Sequence, residues 1–170
     1  LIGLVGSEMC IRDRDNIREK ISEEGLVIPI YKPINWTSFD VVKYVRGVFK
    51  RHTQFKKIKV GHAGTLDPLA TGLLIICVGK KTKEIYKYQN QKKTYVATFK
   101  LGATTPSYDL ETKINETFPT SHLNIDLIKE TIKKFIGDLE QTPPTFSALK
   151  IGGKRSYDLA RSGEKITLEP

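Results

Sequence analysis

Cysteine is scarce in this chain of 170 residues: Cys10 and Cys77 are the two present, and neither belongs to a C-x-x-C pair or a Cys/His cluster with zinc-ligand spacing. That excludes a disulfide-stapled scaffold and points to a reducing compartment with no structural metal. Long hydrophobic runs are missing too. Nothing approaches the roughly 20 apolar residues of a membrane-crossing helix, and the run at 1–5 is too short for a signal-peptide core and has no basic region before it. The chain therefore reads as cytoplasmic, with no membrane partner. Neither G-x-x-x-x-G-K-[ST] nor G-x-G-x-x-G occurs, which removes the two common nucleotide-phosphate cradles. Acidic residues are the last deficit. Nineteen Asp and Glu stand against 28 Lys and Arg, a formal net charge of +9, and the resulting field favours a polyanion, nucleic acid first. Many basic proteins of this size bind no nucleic acid, so the charge narrows the class without fixing it.

What is present suffices for one folded domain. Hydrophobic residues make up 39% of the chain and charged residues 28%, which excludes a disordered polymer. The two ends look foreign to that domain. The chain begins with Leu1 rather than Met, and residues 6–14 (GSEMCIRDR) hold no sustained period and resemble a translated adapter. Residues 1–15 are therefore set aside as a non-native or disordered leader, with disorder or an isolated turn expected at 6–14. At the other end the chain stops at Glu169-Pro170 just as a strand-like run, 165–168, has begun, which is the pattern expected of a truncated sequence.

Strands and helices are interspersed without strict alternation, which predicts a mixed α+β layer structure with no internal repeat. Residues 26–31 (LVIPIY) suit a strand interrupted by Pro29. Thr37 or Ser38 caps a helix with Asp40 in its first turn. Val41, Val42, Val45, Val48 and Phe49 share one face of that helix, which leaves Lys43, Arg46 and Lys50 toward solvent. Residues 50–59 carry a charge run of the kind that usually marks a solvated loop. Residues 73–78 read as a buried strand, residues 80–88 as a short basic helix, and residues 93–101 as a half-buried strand with Tyr95, Ala97, Phe99 and Leu101 on one face. Residues 104–120 form a loop, and apolar residues recur at helical spacing over 124–136 before Gly137. Residues 147–151 suit a strand, Gly152-Gly153 a tight turn, and 154–161 a short helix.

The segment that carries chemistry is 61–74, GHAGTLDPLATGLL. Asp67 sits between apolar residues and a proline in a glycine-punctuated loop leading into a hydrophobic strand, and a carboxylate presented that way is a candidate reactive group. By spacing alone the commoner role is a turn former whose side chain bonds nearby backbone amides.

The run from Gly61 through Gly72 resembles the signature loop of the TruB family of tRNA pseudouridine synthases. Further matches stand in the family's order: Tyr31-Lys32-Pro33 with Trp36-Thr37-Ser38, Lys93-Thr94-Tyr95, and Gln141-Thr142-Pro143-Pro144 with Phe146-Ser147-Ala148-Leu149-Lys150. Gly153-Lys154-Arg155 and Tyr157 with Ala160-Arg161 extend the match, which covers the chain from about Gly25 onward. The resemblance implies an α+β pseudouridine synthase fold, a mixed and largely antiparallel sheet flanked by helices, with residues 16–170 as the N-terminal part of the catalytic domain.

It also implies an activity: isomerisation of a T-loop uridine of tRNA, at position 55, to pseudouridine, with no cofactor and no metal, by a chain expected to be a monomer. Asp67 is then the catalytic carboxylate, attacking C1′ or removing a proton from the sugar; both routes stay open. Tyr95 stacks on the flipped uracil, where strand packing is its ordinary role. His62 braces the space the base leaves, and Lys32 supports the site or contacts phosphate, with a solvated loop lysine as the alternative. The basic run 50–59, with Lys56, Lys57 and Lys59, tracks the RNA backbone together with Lys150, Lys154 and Arg155, as do Lys80, Lys81 and Lys83, giving affinity that falls steeply with salt rather than sequence choice. The family's arginine partner for the aspartate has no matching position here. Burial without a counter-charge disfavours an ionised carboxylate, so weak catalysis is expected. A non-catalytic RNA-binding or RNA-folding module and a guide-RNA-dependent synthase of the same superfamily are the competing readings.

Overall fold

The computed structural model describes residues 11–147, 149–163 and 168. The chain divides into two compact units, Leu1–Tyr95 and Val96–Pro170.

In the first unit, helix α1 (Ile11–Glu23) precedes strand β1 (Leu26–Lys32), helix α2 (Ser38–Thr53), strand β2 (Val60–His62) and strand β3 (Gly72–Val78); a 3-10 turn (Gly79–Glu84) then runs into helix α3 (Ile85–Gln89). The strands form an antiparallel sheet in the order β1-β3-β2. Period-two alternation decides its faces. Leu74, Ile76 and Val78 lie opposite Ile30, Ile28 and Leu26 and pack with Ile21 of α1 and Val41, Val42 and Val45 of α2 into one core. Pro29 is tolerated because β1 is an edge strand, where its missing N–H breaks no inner ladder. Cys77 is a free, fully buried thiol on the alternate register, and burial pushes its pKa up.

Helix α2 starts on the expected signal. Thr37 is the N-cap: its hydroxyl accepts from Asp40 N at 3.0 Å, and the Asp40 carboxylate accepts from Thr37 N at 3.1 Å, a reciprocal capping box. Of the expected stripe, Val41, Val42 and Val45 are buried, and Val48 and Phe49 are half-buried. Arg46 departs from expectation. It is half-buried and donates to Val60 O at 3.2 Å, because its long stem lies along the helix flank that meets β2.

Two further expectations are corrected. Residues 11–14, expected in a disordered leader or an isolated turn, form the first turn of α1; residues 1–10 lie outside the described residues. Ile17 and Ile21 give this helix its core side, and Gly25 ends it, with N–H donated to Lys20 O at 3.0 Å. Gly25 has φ +78, and a Cβ there would come 2.6 Å from both Val78 O and Lys81 N. A Gly25→Ala chain is expected to lose about 2–3 kcal/mol of stability from backbone strain and overpacking, read as a lower urea midpoint.

The second correction is residues 93–101, which form no strand: all but Leu101 lack assigned secondary structure, and all are exposed. Alternation sets which side chains share a face, but a strand exists only with a hydrogen-bonded neighbour, and none of the described residues supplies one.

The second unit holds short elements: β4 (Ala103–Thr104) paired with β5 (Glu116–Thr117), helix α4 (Ile125–Lys133) capped by the Asn124 side chain, the hairpin β6 (Lys150–Ile151) and β7 (Lys154–Arg155) across Gly152-Gly153, and α5 (Ser156–Arg161). Of the strand expected at 147–151, Ala148 lies outside the described residues and only the last two residues pair. The architecture is α+β with antiparallel sheets.

Candidate active site

Residues 63–71 link β2 to β3, and the loop is clamped from several sides. Ala63 N donates to Ile75 O at 2.8 Å, continuing the ladder past β2. Ser38, buried at the start of α2, accepts from Leu66 N at 2.9 Å and donates to Leu66 O at 3.2 Å. Asn35 N donates to Pro68 O at 2.7 Å, and Ala70 N closes a turn on Asp67 O at 3.0 Å. Asp first and Pro second is the composition that turn chemistry favours. His62 meets Gly64 O through Nδ1; since a carbonyl only accepts, Nδ1 is the donor of this contact.

Asp67 itself is exposed, not partly buried as expected. Its carboxylate makes no hydrogen bond with any described residue. A carboxylate acting only as a turn former would bond adjacent amides; here the backbone makes the turn and the side chain stays uncommitted.

Lys32 is the buried cation of the site, 0% exposed. Its strand position explains why: it alternates with Leu26, Ile28 and Ile30 onto the helix-covered face, opposite Gly72. The ammonium donates to Trp36 O at 2.6 Å, Pro33 O at 3.0 Å and Pro68 O at 3.4 Å. A solvated loop lysine is thereby excluded. Burial lowers its pKa, and the negative charge of Asp67 acts against that lowering. Asp67→Asn is therefore expected to move the Lys32 titration further down, measured from the Cε chemical shift against pH.

Tyr95 is 67% exposed and makes no hydrogen bond or ring contact with a described residue, since the strand meant to carry it does not form. Lys93 stays near the loop, its Cε 4.0 Å from where a Cβ on Gly64 would lie. Lys56, Lys57, Lys59 and Lys154 are exposed; the side chains of Lys150 and Arg155 lie outside what the structure describes. In the second unit, Gln141, Thr142, Pro143 and Pro144 line a cavity of about 660 Å³ with Pro106 and Tyr108. Tyr108 holds φ 59, a left-handed conformation rare for a bulky residue. Sequence reasoning gave it no role, and nothing local marks it.

The model of the TruB family pseudouridylate synthase N-terminal domain matches residues 50–170. The chain is 54% identical over 148 residues to a tRNA pseudouridine synthase B of Bacteroides fragilis, covering 87% of this chain and 64% of the relative. It is 56% identical over 147 residues to that of Phocaeicola vulgatus (86% and 63%), and 55% over 147 residues to that of Flavobacterium johnsoniae (86% and 64%). It spans less than two thirds of the length of these curated relatives. The chain belongs to the TruB family of pseudouridylate synthases.

Proposed function

We propose that this chain provides the catalytic-aspartate part of an enzyme that isomerises a T-loop uridine of tRNA to pseudouridine, with no redox cofactor. The observation that carries the reading is the exposed, unbonded carboxylate of Asp67 on a turn whose backbone is clamped by Lys32, Ser38 and Asn35. Family membership and the printed names of the relatives support the same chemistry.

In that reaction the N1–C1′ bond of uridine breaks, the base turns, a C5–C1′ bond forms, the C5 proton leaves to solvent and N1 gains a proton. Atoms balance without oxidant or reductant. Asp67 acts on the ribose, as nucleophile at C1′ or as base toward the sugar. The uridine must leave its stack to reach that carboxylate; Tyr95 stacks on the extruded base, and His62 braces the space it vacates. Lys32 acts at one remove, holding Pro68 O and so the residue next to Asp67.

The test is tritium release from a T-arm transcript carrying [5-³H]uridine. Release is expected from the T-loop uridine and not from a transcript with cytidine there. Release from another arm alone would overturn the T-loop assignment, and binding without release would favour the RNA-binding module.

A further inference from the structure

A basic pocket lies at the far end of β3 from Asp67. Its floor is Ile21 of α1 with Phe55 and Ile58 of the loop after α2, and its rim carries Lys57, Lys59, Lys80 and Lys83 around about 260 Å³. The walls are tied together. Gly79 N donates to Lys59 O at 2.9 Å, and Gly79, at φ +64, lets the 3-10 turn approach α1 so closely that a Cβ would lie 2.6 Å from Ile21 O. Arg18 lies 5.6 Å from the Phe55 ring centroid and adds a fifth cation. None of the four rim lysines has an ion pair among the described residues; the nearby Glu84 is taken by Lys81 at 2.9 Å and Lys87 at 3.1 Å.

We propose that this pocket holds one unpaired nucleotide of the RNA, outside the reacting loop, with the base on the apolar floor and its flanking phosphates on the rim lysines. This rests on the RNA-directed reading above. An apolar floor ringed by unneutralised ammonium groups matches a nucleotide, which presents a flat π-face and a negative backbone together. The volume falls below the range of about 300–1,000 Å³ typical of ligand pockets, which suits a single base rather than a larger ligand. The seven residues of β3 set the span: at roughly 3.4 Å per residue, the pocket and the Asp67 loop stand on the order of 20 Å apart along the strand. RNA held at both ends of β3 is fixed in register as well as in affinity.

The test measures Kd of a fluorescein-labelled tRNA transcript across a salt series, using the chain and three variants. Lys80→Ala/Lys83→Ala is expected to weaken binding about tenfold and to flatten the log Kd against log salt slope by roughly 1.4–1.8. Lys80→Arg/Lys83→Arg should restore both. Ser22→Trp, which fills the pocket from its exposed rim, should weaken binding about tenfold with the slope unchanged. As a charge-matched control, Lys113→Ala/Lys129→Ala removes two exposed cations that have no ion pair among the described residues and lie outside the basic run 50–59. If it has the same effect as the Lys80/Lys83 pair and Ser22→Trp has none, the lysines are merely a solvated basic patch and the pocket proposal falls. Competition by polyglutamate as strong as that by oligouridylate would also sink it, assigning the pocket to acidic protein segments. The two readings fail separately: pocket variants that weaken binding by a chain releasing no tritium leave the pocket and remove the enzyme. Tritium release with an unchanged KM in those variants does the reverse.

Discussion

An Asp67→Asn chain is expected to bind a tRNA transcript as tightly as the parent and to release tritium from [5-³H]uridine about 10³-fold more slowly. Asn keeps the size of the side chain and its liking for turns, and the Ala70 N to Asp67 O bond involves only backbone. Asp67 is exposed and its carboxylate bonds no described residue, so the fold loses little; surface substitutions of this kind stay within about 0.5 kcal/mol. A 10³-fold rate loss corresponds to about 4 kcal/mol of transition-state free energy. Unfolding therefore cannot account for it, and a urea midpoint measured beside the rate separates the two. Equal tritium release by parent and variant would remove Asp67 from the chemistry and leave the chain an RNA-binding module.

The elements legible in the sequence are those whose cause is local. Thr37 and Asp40 cap α2 through bonds three residues long, and the valines behind them announce its buried face. The apolar run before Gly79 reads as a buried strand, and β3 is flanked on both sides. The apolar spacing over 124–136 likewise marked α4, which the Asn124 side chain caps. Yet Ile125, Ile132, Phe135 and Ile136 remain more than half exposed, because periodicity tells which face is apolar and not what covers it.

Where pairing over distance decides, local pattern fails. Residues 93–101 alternate well and form no strand, which leaves Tyr95 exposed. Helix α1 was hidden behind an adapter-like run, although Ile17, Ile21 and Gly25 carry a helical spacing and a stop. The chemistry of the 61–74 loop was legible only through its likeness to a family; spacing alone favoured a turn former, and the turn is indeed there. Lys32 was the least legible residue. Local pattern left a supporting role and a solvated one equally open, and the link that ties it to the Asp67 turn is a carbonyl 36 positions away.

Replacing that lysine with methionine is expected to cost little stability and much activity. The Met stem fills the same space, while the carbonyls of Pro33, Trp36 and Pro68 lose charge-assisted bonds worth about 1.5–3 kcal/mol each before desolvation is counted. Against that loss stands the removal of a buried ammonium, whose desolvation costs several kcal/mol. Those two effects are of similar size, so the net change is expected to stay within about 2 kcal/mol; burial lowers the pKa of Lys32 although Asp67 acts against the lowering. Between the lowered pKa and 10.5 the unfolded parent binds more protons than the folded one, so its stability rises with pH there. The Lys32→Met chain loses that rise, which unfolding in urea at neutral and alkaline pH will detect. Turnover responds differently. Pro68 O keeps only its bond from Asn35 N, and a displacement near 1 Å of the adjacent carboxylate costs about 10²-fold in rate. A Lys32→Met chain that turns over like the parent would mean that Ser38 and Asn35 hold the loop unaided, and that the buried ammonium serves the fold alone.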